Sequence, residues 1–88
     1  MAATAVIPPS LRRFTDGVRT LAVRGDTLRA VIDDLEAQCP GLLEALIDNG
    51  RLRSGIAVAI DGVVSDVGLL APVPENAELH IIPAIGGG

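Results

Sequence analysis

The amino-acid sequence predicts an α+β fold, with a mixed sheet of four or five strands and one main helix packed across one face. Three observations support this prediction. An amphipathic pattern over residues 28–39 predicts the helix, and short β-prone runs lie on both sides of that pattern. The chain has 88 residues, of which 49% are apolar and 20% charged, and this size and composition predict one small folded domain.

Two strands are expected before the helix. The first covers residues 3–8 and stops at Pro8-Pro9, because proline has no backbone N–H to donate to a sheet. The second covers residues 18–23 and follows the turn residues Asp16-Gly17. The two strands are therefore predicted to form a hairpin with a long loop.

The helix has the clearest signal in the sequence. Gly25-Asp26-Thr27 predicts its start, since a short side-chain oxygen accepts hydrogen bonds from the first free N–H groups of a helix. Pro40-Gly41 predicts its end, and one or two further helical turns are expected, ending at Asp48-Asn49-Gly50. The buried face is predicted from apolar residues at helical spacing: Leu28, Val31, Ile32, Leu35 and Cys39.

The strands expected after the helices complete the order. An apolar run over residues 56–60 meets Asp61-Gly62, which favours a tight hairpin, and Val63-Val64 forms the returning stub. Prolines exclude a central strand from residues 69–77, and the last strand is predicted over residues 78–82. Two strands, a crossover helix and further strands are the order of a β-grasp (ubiquitin-like) fold, although other α+β arrangements satisfy the same order.

Composition excludes several functional classes. Cys39 is the only cysteine, so the chain cannot close an internal disulfide, hold an iron–sulfur cluster or build a cysteine-rich zinc site. A net charge of −4 and a single aromatic residue, Phe14, argue against a nucleic-acid partner. No apolar stretch approaches the roughly 20 residues that span a bilayer, so a soluble cytoplasmic protein with no membrane partner is expected.

The side chains offer little material for catalysis. Cys39 and His80 are the only thiol and imidazole, and the pattern places them at a helix end and in the last strand. A packed thiol and a surface imidazole are therefore favoured over a catalytic pair. Asp33, Asp34 and Glu36 lie on the exposed helix face, where solvated charges are favoured over a metal site. No catalytic residue and no metal site are predicted.

The C-terminal end is the least ordinary feature of the sequence. The domain is predicted over residues 1–83, and a flexible glycine-rich tail, 84–88, follows the rigid Pro83. This tail reaches roughly 17 Å at ~3.3–3.6 Å per residue. Its end, Gly86-Gly87-Gly88, has no side chains and fits a narrow channel, where a carboxylate can be activated with ATP and attacked by a nucleophile. A frayed terminus is the competing interpretation.

Motifs along almost the whole chain form a combination that is typical of one family. They are Ile7-Pro8, Leu11-Arg12, Thr15-Asp16-Gly17, Gly25-Asp26-Thr27-Leu28, Val31-Ile32, Asp34-Leu35-Glu36, Pro40-Gly41 and Pro83-Ala84-Ile85-Gly86-Gly87-Gly88. This combination resembles the ubiquitin-like sulfur-carrier proteins of the MoaD/ThiS family. Within that family, carriers of the CysO type, which deliver sulfur for cysteine biosynthesis, resemble the chain most.

The resemblance implies a β-grasp carrier that is not itself an enzyme. Gly88 would be adenylated by a ubiquitin-activating-like adenylyltransferase/sulfurtransferase that uses ATP and Mg²⁺, and would then become a thiocarboxylate. A sulfur-accepting biosynthetic enzyme, which is cysteine synthase-like or a thiazole or thiosugar synthase-like enzyme, would take the sulfur. Gly86, Gly87 and Gly88 would enter the partner's active site, and the carrier itself would bind no cofactor. If the family register ends at Gly87, Gly88 would be trimmed first.

Partner docking is expected on the sheet face that the helix leaves uncovered. His80 and Ile82 share one face of the last strand, opposite Leu79 and Ile81, and are the candidate contacts. Sulfur delivery to molybdopterin, thiazole or thiosugar biosynthesis is an alternative to cysteine. A ubiquitin-like protein modifier and a non-covalent interaction domain are two further alternatives, because the same fold serves all of them.

Overall fold

The computed structural model describes residues 2–83, which form a five-stranded sheet, a small second sheet and a main helix. The five-stranded sheet has the strand order β2-β1-β7-β5-β6, and β3 pairs with β4 in the second sheet. In chain order the strands are β1 (Ala2–Val6), β2 (Thr20–Arg24), β3 (Ile47–Asp48), β4 (Arg51–Leu52), β5 (Ile56–Ile60), β6 (Val63–Val64) and β7 (Glu78–Pro83). β1 runs parallel to β7 and the other pairs are antiparallel, so the predicted mixed sheet is confirmed.

The main helix, α1 (Leu28–Gln38), begins where the sequence predicts. The Thr27 backbone is extended, and its hydroxyl oxygen accepts a hydrogen bond from the Ala30 N–H at 3.2 Å. The predicted apolar face is confirmed at its first four positions, which are almost completely buried: Leu28, Val31, Ile32 and Leu35. Cys39 follows the helix and is half-buried against the core.

The core lies between α1 and one face of the five-stranded sheet. The sheet contributes residues that alternate along its strands, so that each second side chain faces the helix. They include Ala3, Ala5, Val23, Val58, Leu79 and Ile81, which belong to the same buried cluster as the α1 residues. The opposite face of the sheet is called the outer face below.

The connection between β1 and β2 differs from the predicted plain loop. It contains a 3-10 helix, Pro9–Phe14, which begins at a proline because that position needs no backbone N–H. Thr15 is buried and its hydroxyl contacts the carbonyl oxygens of Arg12 and Val18, at 3.1 Å and 2.8 Å. This contact holds Val18 in the turn, so β2 begins at Thr20, two residues later than predicted.

The prediction of helical turns up to residue 50 is wrong beyond residue 46. The second helix, α2, covers only Leu42–Leu46, and the chain then forms the β3–β4 hairpin. Asn49 and Gly50 both have positive φ, 54° and 74°, which is the backbone of a tight hairpin turn. An Asn-Gly pair is typical of helix ends as well as hairpins, and the short pairing of Ile47 with Leu52 decides the outcome here.

The last part of the chain follows the predicted order. β5 and β6 are joined by Asp61-Gly62, whose φ angles of 51° and 85° confirm the predicted tight turn. Residues 69–77 contain no strand, apart from an isolated bridge at Pro72, and include the end of a short 3-10 helix, Gly68–Leu70. β7 ends the described chain at Pro83, so the predicted tail, 84–88, lies outside the described residues. Within residues 2–83, no helix combines the length and the apolar character needed to cross a membrane.

Candidate functional site

The strand that leads to the tail is the central strand of the sheet. β7 is hydrogen-bonded to β1 on one side and to β5 on the other. Its pairing with β5 continues to the end of the strand, where Pro83 lies opposite Ile56. The pairing with β1 covers residues 78–80, and β5 alone pairs with residues 81–83. The end of β7 is therefore fixed in the sheet through β5, and the tail starts from this fixed strand.

The two candidate contact residues occupy the outer face, as the alternation of β7 predicts. Leu79 and Ile81 are 1% and 6% exposed and face the core, whereas Ile82 is 45% exposed and the His80 side chain is 46% exposed. Ile82 is a large apolar side chain left in water two residues before the tail begins. Their positions suit a docking role, which stays a prediction.

Neighbouring strands extend this part of the outer face into a row. His80 lies opposite Val6 on β1 and opposite Ala59 on β5. Ala59 in turn lies opposite Val64 on β6. Directly opposed residues of neighbouring strands project to the same face, so the four side chains cross the sheet side by side. Val64 is 56% exposed, so the outer face carries a second exposed apolar side chain in addition to Ile82.

Val64 is the surface residue that the sequence analysis missed. Its position on the hairpin is predictable, because a two-residue turn at Asp61-Gly62 pairs Ala59 with Val64. That Val64 shares a face with His80 depends on the pairing of β5 with β7, which joins residues about twenty positions apart. No local pattern in the sequence predicts the pairing of β5 with β7.

One polar contact lies on the outer face. The His80 Nε2 atom is 2.9 Å from Glu78 Oε1, and the two side chains are 46% and 62% exposed. Water screens a pair that is so exposed, so this contact orients the imidazole and contributes little to stability. The outer face near the tail therefore combines apolar groups with one polar pair, which is the usual make-up of a docking surface.

The structure does not bring Cys39 and His80 together. Cys39 follows α1, which packs on the inner face of the sheet, and His80 projects from the outer face. The sheet therefore separates the thiol from the imidazole. The favoured interpretation, a packed thiol and a surface imidazole, agrees with this placement.

The acidic residues of α1 have structural partners. Asp33 pairs with Arg29 at 3.2 Å, and Asp34 Oδ2 accepts a hydrogen bond from the backbone N–H of Arg24 at 3.0 Å. Glu36 Oε1 accepts hydrogen bonds from backbone N–H groups at the start of α2. The expectation of purely solvated charges is therefore wrong for Asp34 and Glu36. Among residues 2–83, no group of three or more His, Cys, Asp or Glu side chains is placed to hold a metal ion.

The fold and the placement of the last strand define a ubiquitin-like β-grasp protein. The family model for the ThiS family matches residues 6–88. The chain belongs to the ThiS family. This finding confirms the family resemblance that the sequence motifs indicate.

Three comparisons place the chain near CysO proteins. The sulfur carrier protein CysO of Mycobacterium tuberculosis is 36% identical over an alignment of 93 positions, gaps included, which covers 100% of both chains. A crystal structure of M. tuberculosis CysO matches with a TM-score of 0.90 and 33% identity, covering 94% of this chain and 99% of that one. A chain of the crystal structure of the Amycolatopsis orientalis BexX/CysO complex matches with a TM-score of 0.92 and 32% identity, covering 98% and 99%.

Proposed function

We propose that this protein is a sulfur carrier for cysteine biosynthesis and that Gly88 holds the sulfur as a C-terminal thiocarboxylate. The observation that carries this proposal is the end-to-end similarity to a sulfur carrier protein, CysO, at 36% identity. The matched family segment includes the three glycines of the tail. The structural support is the position of β7, which delivers the tail from the centre of the sheet.

The chemistry takes place on the tail and in partner enzymes. A carboxylate is a poor electrophile, so Gly88 is first activated: its carboxylate oxygen attacks the α-phosphorus of ATP and pyrophosphate leaves. Sulfide (HS⁻) then attacks the carbonyl carbon of the acyl-adenylate, AMP leaves, and the S–H proton is lost to solvent. The product is the thiocarboxylate. The activating adenylyltransferase/sulfurtransferase would bind ATP and Mg²⁺, so the carrier provides the carboxyl group and no catalytic side chain.

The tail composition fits this role. Gly86, Gly87 and Gly88 present no side chains, so the last part of the chain can enter a channel that excludes every larger residue. From Pro83 the tail reaches roughly 17 Å at ~3.3–3.6 Å per residue. A partner that binds the domain beside the end of β7 can therefore receive the terminal glycines in a buried site.

The outer face is the proposed docking surface, through His80, Ile82 and Val64. These residues lie on one face of the sheet, and Ile82 comes two residues before the tail begins. Exposed apolar side chains in this position provide the buried centre of an interface, and His80 with Glu78 provides polar contacts at its edge. One surface at the base of one tail serves the activating enzyme and the sulfur-accepting enzyme in turn. The two partners therefore compete for the carrier.

Intact-mass measurement tests the proposal. The purified protein is incubated with its activating enzyme, MgATP and a sulfide source, beside a control chain truncated after Gly86. Replacement of oxygen by sulfur adds about 16 Da, the same gain as oxidation of Met1 or Cys39, so the shift is localised to the C-terminal peptide and checked with a thiocarboxylate-selective alkylating reagent. We expect an ATP-dependent thiocarboxylate that the truncated control lacks. An unchanged C-terminus with an activating enzyme that is active on another carrier contradicts the proposal.

The same reaction distinguishes the protein-modifier alternative. A modifier forms an isopeptide bond between its terminal carboxyl group and a lysine of another protein, and such conjugates persist after thiol treatment. A sulfur carrier gives a thiocarboxylate and no conjugates of higher mass. Electrophoresis of the reaction in a cell extract, with and without thiol, separates the two outcomes.

A further inference from the structure

An open cleft of about 380 Å³ lies away from the proposed docking surface. Three parts of the chain form it: the 3-10 helix after β1, α2 with the residue before it, and the segment after β4. Its lining residues are Arg13, Phe14, Gly41, Glu44, Ala45 and Arg53. None of them belongs to β7 or to the outer face, so the cleft is a separate feature of the surface.

Arg13 is held in the cleft by an aromatic ring. The guanidinium carbon lies 4.9 Å from the centroid of the Phe14 ring, within the range of a cation–π contact. The ring packs against Gly41, because a Cβ atom there would lie 2.8 Å from the Phe14 ring. Gly41 also has a φ of 107°, which favours glycine. The glycine therefore allows the ring, and with it Arg13, to occupy this position.

Arg53 is held by the backbone of α2. Its Nε–H donates a hydrogen bond to the carbonyl oxygen of Glu44 at 2.8 Å. This bond orients the Nε–H group and leaves the terminal amino groups available to donate to another acceptor. Arg53 also donates its backbone N–H to the Leu46 carbonyl at 2.8 Å, so the main chain is fixed at the same point.

Neither arginine is neutralised by a carboxylate within residues 2–83. The ion pairs of that segment join Arg29 to Asp33 and His80 to Glu78. Two exposed arginines thus line one cleft, and each makes one contact that leaves guanidinium N–H donors unused. With Glu44 the lining of the cleft is net positive by one charge, in a chain with a net charge of −4.

We propose that the cleft binds an oxyanion, either a carboxylate or a phosphate group, between the guanidinium groups of Arg13 and Arg53. Guanidinium donors form a planar fork that matches two oxygens of such a group. The Glu44 side chain at the cleft weakens the attraction, and it limits the site to one anionic group. The ligand is a free anion or an acidic side chain of a partner protein, since both present the same oxygens.

Chemical-shift titration of the amide-labelled protein tests this site at constant ionic strength. The probes are inorganic phosphate and a blocked Glu-Glu dipeptide. We expect saturable shifts of the amides at residues 13–14, 41–45 and 53, and a response to phosphate alone or to the dipeptide alone identifies the source of the oxyanion. The proposal is overturned if the shifts saturate with neither probe, or if they are spread over the whole chain.

Variants assign the effect to the two arginines. Arg13→Ala and Arg53→Lys are each expected to weaken binding about tenfold, the usual loss for a hydrogen bond to a charged group. Arg19→Ala removes the same charge outside the cleft and is expected to leave binding unchanged. Glu44→Gln is expected to tighten it. The same spectra verify that each variant is folded, and equal losses in Arg19→Ala and Arg13→Ala overturn the site.

Discussion

The carboxylate of Glu36 accepts a hydrogen bond from the backbone N–H of Leu43 at 2.9 Å. The same oxygen accepts a second bond from the Gly41 N–H at 3.0 Å. A residue of α1 thereby satisfies free donors at the start of α2, across the break at Pro40. This contact fixes how the chain leaves α1 and enters α2, which forms one wall of the cleft that Arg13 and Arg53 line.

Glu36→Ala is expected to lower the free energy of unfolding by about 1–2 kcal/mol, because two backbone donors lose their acceptor. Glu36→Gln keeps an acceptor oxygen and should lose less. Urea unfolding monitored by circular dichroism measures both variants. Equal stability of Glu36→Ala and the unchanged protein would show that these bonds add nothing in water.

Gly25→Ala is expected to destabilise the fold strongly. An added Cβ would lie 2.7 Å from the backbone nitrogen of Val31, inside α1, and Gly25 has a φ of 148°. Gly62→Ala is the matched control, because Gly62 also has a positive φ, 85°, but has nothing within 4 Å of the added atom. The clash should make Gly25→Ala worse than the control by about 1–3 kcal/mol in urea unfolding. Similar losses in the two variants would refute the close approach.

Ile82→Asp is expected to slow thiocarboxylate formation at least tenfold, because it places a charge in the apolar centre of the proposed docking surface. Leu70→Asp is the matched control, since Leu70 is 78% exposed but belongs to the short 3-10 helix outside the outer face. Initial rates of loading by the activating enzyme, measured by intact mass, compare the two. If both variants load equally well, docking does not use Ile82.

Gly87→Val is expected to abolish loading while leaving the stability of the domain unchanged. A branched side chain beside the reacting residue would not pass through a channel that admits only glycine. Stability should not change, because Gly87 lies beyond the predicted domain, 1–83. Ala84→Val adds bulk farther from Gly88 and should load at a rate closer to that of the unchanged protein. Normal loading of Gly87→Val would contradict the narrow-channel argument.

The sequence predicts the elements whose signals are local. The faces of α1 follow from the spacing of Leu28, Val31, Ile32 and Leu35, and the turn at Asp61-Gly62 follows from two residues. The prediction of a helix end at Asn49-Gly50 is wrong because the same pair is typical of both a helix end and a hairpin turn. Only the tertiary pairing of the flanking residues separates the two.

The surface features depend more on distant pairings. Alternation in β7 predicts that His80 and Ile82 share a face, whereas their neighbour Val64 is placed by the β5–β7 register. The cleft is harder to predict, because Arg13 precedes both α-helices in the sequence and Arg53 follows them. Their shared surroundings arise only when the domain is folded.

Transfer of labelled sulfur tests the central claim most directly. The protein is loaded with heavy-isotope sulfide, freed of excess sulfide, and mixed with the sulfur-accepting enzyme, an activated serine and unlabelled sulfide in excess. The account predicts that the thiocarboxylate sulfur displaces the leaving group of the activated serine, which gives labelled cysteine attached to the acyl carbon of Gly88. Hydrolysis of that bond then returns the Gly88 carboxylate and frees the labelled cysteine. Label that stays in the unmodified thiocarboxylate, or carrier-bound and free cysteine that carry only unlabelled sulfur, would contradict a carrier role in cysteine biosynthesis.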